Sequence, residues 1–188
     1  MSSSWECARH GAVAPLHVWA TVGAEQLREA GRSSRVPLWT PSPVPTGWLL
    51  SGLATAGDGR TPGHAAALAF CGPSPLGGPA DLVLVAEEPG TGLGARYAGE
   101  AVEPGDCAQG PPEARVRAAG HPTALWRCAS APDRVAFVGE ALGVWLWIVL
   151  WPPAAELMLI EHIALRDARV DGPAGGLLEI GAPSTRLA

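Results

Sequence analysis

Val144-Trp145-Leu146-Trp147-Ile148-Val149-Leu150-Trp151 is the stretch on which the fold turns. Read with a period of two, it puts Trp145, Trp147, Val149 and Trp151 on one side and Val144, Leu146, Ile148 and Leu150 on the other. Both sides are apolar, which predicts a central strand covered on two faces rather than an edge strand with one face in water. Gly143 opens the run and Pro152-Pro153 closes it. The whole uncharged stretch from Ala141 to Ala155 is 15 residues, short of the roughly 20 that a membrane-crossing helix needs.

Working outward, similar short runs recur upstream. Trp48 to Ala56, His64 to Cys71, Asp81 to Glu88, Glu113 to Ala118, Thr123 to Cys128 and Arg134 to Val138 are each apolar or alternating. Clusters of Gly, Pro and Asp separate them, among them GDGRTPG, GPSPLGGP, GDCAQGPP, AGHP and SAPD. That spacing predicts hairpins and meanders. The intervals are too short for repeated crossover helices, which speaks against a doubly wound α/β fold. Downstream, Pro152-Pro153 followed by Ala-Ala-Glu predicts a helix over about 153–161, then a closing strand over His162 to Asp167. The expected fold class is α+β: a curved, mostly antiparallel sheet of about six to eight strands with a packing helix on its C-terminal side. The expected organisation is 1–20, a remnant of a zinc-ribbon-like module; 21–46, a short helix and a Pro-rich linker; 47–170, the main α+β domain; and 171–188, an irregular tail.

Composition narrows the function classes. Hydrophobic residues are 47% and charged residues 16% of the chain, which describes a sequence that folds. The net charge of −5 argues against general nucleic-acid binding or an anionic-membrane surface, since both call for a basic face. Every basic residue is Arg, so Schiff-base chemistry, a Walker-type phosphate lysine and a Ser–Lys dyad are all excluded. No charged-then-apolar leader opens the sequence, so a cytoplasmic protein with free thiols and no membrane span is expected.

Several residues carry candidate chemistry. Trp145, Trp147 and Trp151 either fill a core or line an apolar ligand groove or partner interface. The loop from Glu87 to Tyr97 could cradle an anion with its backbone amides and Arg96, with Tyr97 alongside, but it lacks GxGxxG spacing and reads more simply as a mobile hairpin loop. Glu87 and Glu88 are adjacent, so in a strand they face opposite ways and do not form an acid–base pair. Glu140, Glu156, Glu161 and His162 flank the Trp strand and could move protons, or serve only as solvated positions. Cys71, Cys107 and Cys128 show no ligand spacing and read as buried or loop thiols. Cys7 and His10, in Trp-Glu-Cys-Ala-Arg-His-Gly, read as half of a zinc knuckle. A tetrahedral site needs four ligands, so these two could hold zinc only with missing upstream ligands. No cofactor is expected in the chain as it stands.

The stretches VPLWTPSPVPTGWLLSGLATAGDGR, GPSPLGGPADLVLVAEEPGTGLGARYAGE, GHPTALW and FVGEALGVWLWIVLWP resemble an uncharacterised actinobacterial domain-of-unknown-function family. The likeness covers roughly residues 5 to 170. Members typically begin with a Cys-x-x-Cys-Gly knuckle ahead of a Trp-x-Cys-x-x-His-Gly element; Trp5, Cys7, His10 and Gly11 match the second. The resemblance implies that Met1 is an internal start and that an upstream-extended form would hold a structural zinc. Members sometimes carry an automatic label of phosphotransacetylase, but such enzymes have a larger two-domain α/β architecture that this chain lacks. The expected function is therefore a non-enzymatic binding or adaptor protein, its Trp-lined sheet taking a small apolar ligand or a protein partner. The alternative is an enzyme with an acid–base site near Glu140, Trp145, Glu156 and His162.

Overall fold

A computed structural model describes residues 5–7, 11–13, 15–57, 61–161, 163–171 and 178–188. The strands are β1 (Trp5–Cys7), β2 (Gly11–Val13), β3 (Leu16–Val18), β4 (Trp39–Pro41), β5 (Leu49–Ala56), β6 (Ala65–Pro73), β7 (Pro79–Glu87), β8 (Ala114–Ala118), β9 (His121–Cys128), β10 (Val135–Ala141), β11 (Val144–Trp151) and β12 (Ala164–Asp167). β1 and β2 form a small hairpin; the other ten make one open sheet in the order β3-β5-β6-β7-β11-β10-β9-β8-β12-β4. All its pairings are antiparallel except β12 on β8. The ten strands correct the expected six to eight. The excess comes from β3 and β4, whose three residues each are too few to display a period.

β11 sits in the middle, paired with β7 on one side and β10 on the other. It has neighbours on both edges and apolar residues on both faces, as its sequence requires. Two tight hairpins follow from local chemistry. Leu142-Gly143 joins β10 to β11 and Ala119-Gly120 joins β8 to β9, with φ positive at all four residues. That is the backbone whose twist matches a two-residue hairpin, and glycine carries the second position without a Cβ penalty.

The sheet has two cores, one on each face. The inner face holds Leu68 and Phe70 of β6, Leu82 and Leu84 of β7, Leu146, Ile148 and Leu150 of β11, and Phe137 of β10. It is closed by Leu27 and Ala30 of helix α1 (Ala24–Arg32) and by Ala155, Met158 and Leu159 of a 3-10 helix (Pro153–Glu161). β4 packs back against β6 and β7, so the sheet curls until its far edge meets its middle. Trp39 of β4 and the neighbouring Leu38 are thereby buried in this core. Residues 35–46, expected as linker, thus contribute a strand to the sheet.

The outer face holds Ala67, Ala69, Val83, Val85, Trp147, Val149 and Trp151. Its cover comes from helix α2 (Leu93–Ala98), the segment around helix α3 (Pro104–Cys107) and the C-terminal residues. Although irregular, those last residues are bound to the sheet: Leu50 N donates to Glu179 O at 2.9 Å, Gly181 N to Leu50 O at 2.9 Å and Ser184 N to Ser51 O at 2.8 Å. Leu187 is fully buried, and a Cβ on Gly52 would come within 2.7 Å of its Cδ1. Cys107 and Cys128 form a disulfide across 21 residues of sequence, which corrects the expectation of free thiols; Cys71 is unbonded. α3 lies against the ends of β9 and β10, and that docking brings the two sulfurs together, a distance no spacing rule reveals. Among the described residues, no helix is long and apolar enough to cross a membrane. A final short helix, α4 (Ala168–Asp171), packs on α1.

Candidate functional site

The row of tryptophans on β11 is filled by the protein itself. Trp147 is fully buried beneath α2; a Cβ on Gly94 would fall on its indole ring, so only glycine lets the helix approach this closely. The Trp147 Nε1–H donates to Glu87 Oε1 at 2.7 Å. The other carboxylate oxygen, Glu87 Oε2, accepts from Leu93 N at 2.6 Å and Gly94 N at 3.2 Å. Helix α2 has no side-chain cap of its own at Gly92, and Glu87 satisfies its first amides through space. The amides expected to hold an anion are therefore aimed at the chain's own carboxylate. The segment expected as a mobile hairpin loop is helical from Leu93, capped by Glu87 and ended by Gly99 in the left-handed region at φ 79°. Burial pushes the Glu87 carboxyl above its ordinary value, against the opposing effect of the three hydrogen bonds, and Glu103 raises it further.

Two guanidinium groups lie against the Trp151 ring, Arg134 Cζ at 4.9 Å and Arg186 Cζ at 5.1 Å from its centroid. Arg186 Nε also donates to Asp81 Oδ2 at 2.8 Å, fastening the C-terminal segment over the indole. Trp145 is half-buried beside Glu87, Glu103 and Pro104, around a void of only about 10 Å³. That is room for about one water molecule. Arg96 and Tyr97 diverge: Arg96 is exposed, whereas Tyr97 is buried in the outer core with its phenol pushed up to about 12 by burial. The Tyr97 hydroxyl donates to Leu187 O at 3.5 Å.

Of the acid–base candidates, Glu140 and Glu156 are not brought together. Glu140 follows the outward alternation of Ala136 and Val138, while Glu156 stands on the 3-10 helix over the inner face. The side chains of Glu161 and His162 lie outside the described residues. Glu87 and Glu88 do face opposite ways: Glu88 Oε2 meets His64 Nδ1 at 2.6 Å, away from the Trp147 side. Cys7 ends β1, with its backbone paired to Gly11 of β2; its side chain and the whole of His10 are outside the described residues. Among the described residues, no group of three or more His, Cys, Asp or Glu is placed to hold a metal.

The open space lies elsewhere. Between the 3-10 helix and the strands β8, β9 and β10 runs a groove of about 560 Å³. Phe137 forms its floor, and Pro112, Ala114, Leu157, Leu159 and Ile160 its apolar walls. Ile160 is 68% exposed, an unusual position for a large aliphatic side chain. Arg127 crosses the floor with its Cζ 5.0 Å from the Phe137 ring centroid, and one Nη2–H donates to Glu156 Oε2. Glu113 Oε2 accepts the backbone N–H of Arg127 at 2.8 Å. Arg115 lines the same groove.

A family model matches residues 1–187 and describes a family of unknown function, DUF6758. The chain belongs to that family. No curated protein and no solved structure matches it. The family resemblance read from the sequence is thereby upheld at the level of an uncharacterised family, and family membership assigns no activity.

Sequence reasoning singled out Glu156 but missed Arg127, Phe137 and Glu113 as its neighbours. The register of β9 on β10, which pairs Arg127 with Phe137, is what places the guanidinium beside the ring. A charged residue at the inward phase of an otherwise apolar alternation, Arg127 two positions after Leu125, was the available signal.

Proposed function

We propose that this protein is a non-enzymatic binding protein, and that its ligand is a small molecule with an apolar body held in the groove between the 3-10 helix and β8–β10. The observation that carries the reading is the groove itself. At about 560 Å³ it falls within the roughly 300–1,000 Å³ of small-molecule clefts, with an aromatic floor and a few polar groups in its lining. Its carboxylates already serve as acceptors for Arg127, which suits recognition better than proton transfer. The tryptophan face, by contrast, is packed with the protein's own side chains. The test is to introduce Ile160→Arg at the rim and measure uptake of a neutral apolar probe, decanol, by calorimetry. Binding by the native chain and its loss in the variant support the reading; equal binding by both refutes it.

Two narrower readings go with it. Cys7 and His10 are proposed as half of a zinc site whose other ligands lie upstream in a longer form, a reading supported by the antiparallel pairing of β1 with β2, which sets Cys7 opposite Gly11. Zinc determination by mass spectrometry on the present and an upstream-extended chain tests it, and metal-free extended chain refutes it. A cytoplasmic location is proposed from the sequence, although disulfides such as Cys107–Cys128 persist mainly in oxidising compartments. Alkylation of Cys107 and Cys128 after acid quenching of the cells and denaturation decides: modified thiols support the cytoplasm, and protected ones refute it.

A further inference from the structure

We infer that the groove selects an anionic amphiphile, a medium-chain carboxylate whose head displaces Glu156 from Arg127 and whose chain lies along Phe137 and Ile160. This rests on the groove being the ligand site. Glu113 accepts the backbone N–H of Arg127, and Glu156 accepts one N–H of its guanidinium. A guanidinium has five N–H donors in a planar fork, and among the described residues only one of those on Arg127 is used in a hydrogen bond. Arg115 makes no ion pair among the described residues. The groove thus offers N–H donors on Arg127 and Arg115 to an incoming anion.

The placement of the pair supports displacement. Arg127 stands on the sheet and Glu156 on the 3-10 helix that forms the opposite wall, so their ion pair spans the groove. With side chains 46% and 34% exposed, it is a solvent-accessible pair, and exchanging one carboxylate for another at such a pair costs little. A ligand carboxylate can take one edge of the fork with two parallel N–H···O bonds, which a single Glu156 oxygen does not do. Phe137 keeps the guanidinium plane in position by stacking at 5.0 Å whether or not Glu156 is present. The apolar body then covers Ile160, which otherwise stands in water.

Calorimetric titration with decanoate, decanol and decyltrimethylammonium, on the native chain and on Arg127→Met and Glu156→Gln, tests this. The native chain is expected to bind decanoate at least tenfold more tightly than decanol, and the cation more weakly than either. Arg127→Met should bring decanoate down to the decanol level while leaving decanol unchanged. Glu156→Gln should tighten decanoate severalfold by removing its competitor, which keeps the inference testable should Arg127→Met fail to fold. Equal affinity for decanoate and decanol in the native chain overturns the anion selectivity and leaves the groove as an apolar site. Unchanged decanoate affinity in Glu156→Gln overturns the displacement. No binding of any probe overturns the groove reading itself.

Discussion

Glu87 is the group whose removal most sharply tests how the outer face is held. Replacing it by Ala strips the acceptor from three donors at once: Leu93 N, Gly94 N and Trp147 Nε1. Only 2% of the residue is exposed, so water does not replace the lost partners without rearrangement. At about 1 kcal/mol or more for each buried donor left unpaired, plus the cavity, the loss should be about 3–5 kcal/mol. Glu87→Gln keeps the shape and one acceptor oxygen but turns an amide N–H₂ toward one set of donors, so about 1–3 kcal/mol is expected. The pH dependence adds a sign. Because burial raises the folded carboxyl above its ordinary 4.5, the folded state binds this proton more tightly than the unfolded chain does. Its contribution is fully present below 4.5 and is lost as pH rises from there through the folded value. Urea melts of the native chain and Glu87→Gln across that range should show the native advantage shrinking as pH rises. A native advantage that grows with pH, or Glu87→Ala costing under about 1 kcal/mol, would refute the reasoning.

Three further outcomes are expected. Gly94→Ala drives a methyl group into the Trp147 indole and should cost about 1–3 kcal/mol by overpacking, seen as a fall in melting temperature. Gly105→Ala, whose Cβ would meet nothing within 4 Å, is its neutral control. The Cys107→Ser, Cys128→Ser double variant releases a cross-link spanning 21 residues and should lose about 3 kcal/mol in urea; a loss under about 1 kcal/mol would refute the chain-entropy account. Arg166 carries buried Nε and Nη2 atoms without partners among the described residues, so Arg166→Met should match or exceed native stability by up to about 2 kcal/mol. A loss beyond about 1 kcal/mol in the same melts would contradict that assignment.

Much of the sheet was legible in the chain. The two-sided apolarity of β11 and the seven strands from Leu49 to Trp151 follow from alternation and from the Gly and Pro clusters between runs, because a strand's period is set by neighbours two residues apart. The turn from Pro152-Pro153 into the 3-10 helix is local in the same sense. β3 and β4 escaped notice because three residues carry no period; they became strands only by finding an edge to pair with. Which side of β11 would be buried by what was equally invisible. The indoles could have faced a groove, and they are closed over because α2, Arg134 and Arg186 arrive from elsewhere in the chain. The candidate site shows the same division. Glu156 could be noticed as a polar residue near the Trp strand, but its meeting with Arg127 depends on the 3-10 helix folding back against β11 and β8. Local patterning records what each segment prefers. The capping of α2 by Glu87, the Cys107–Cys128 bond and the groove over Phe137 join segments far apart in sequence, and only the closure of the curled sheet sets those distances.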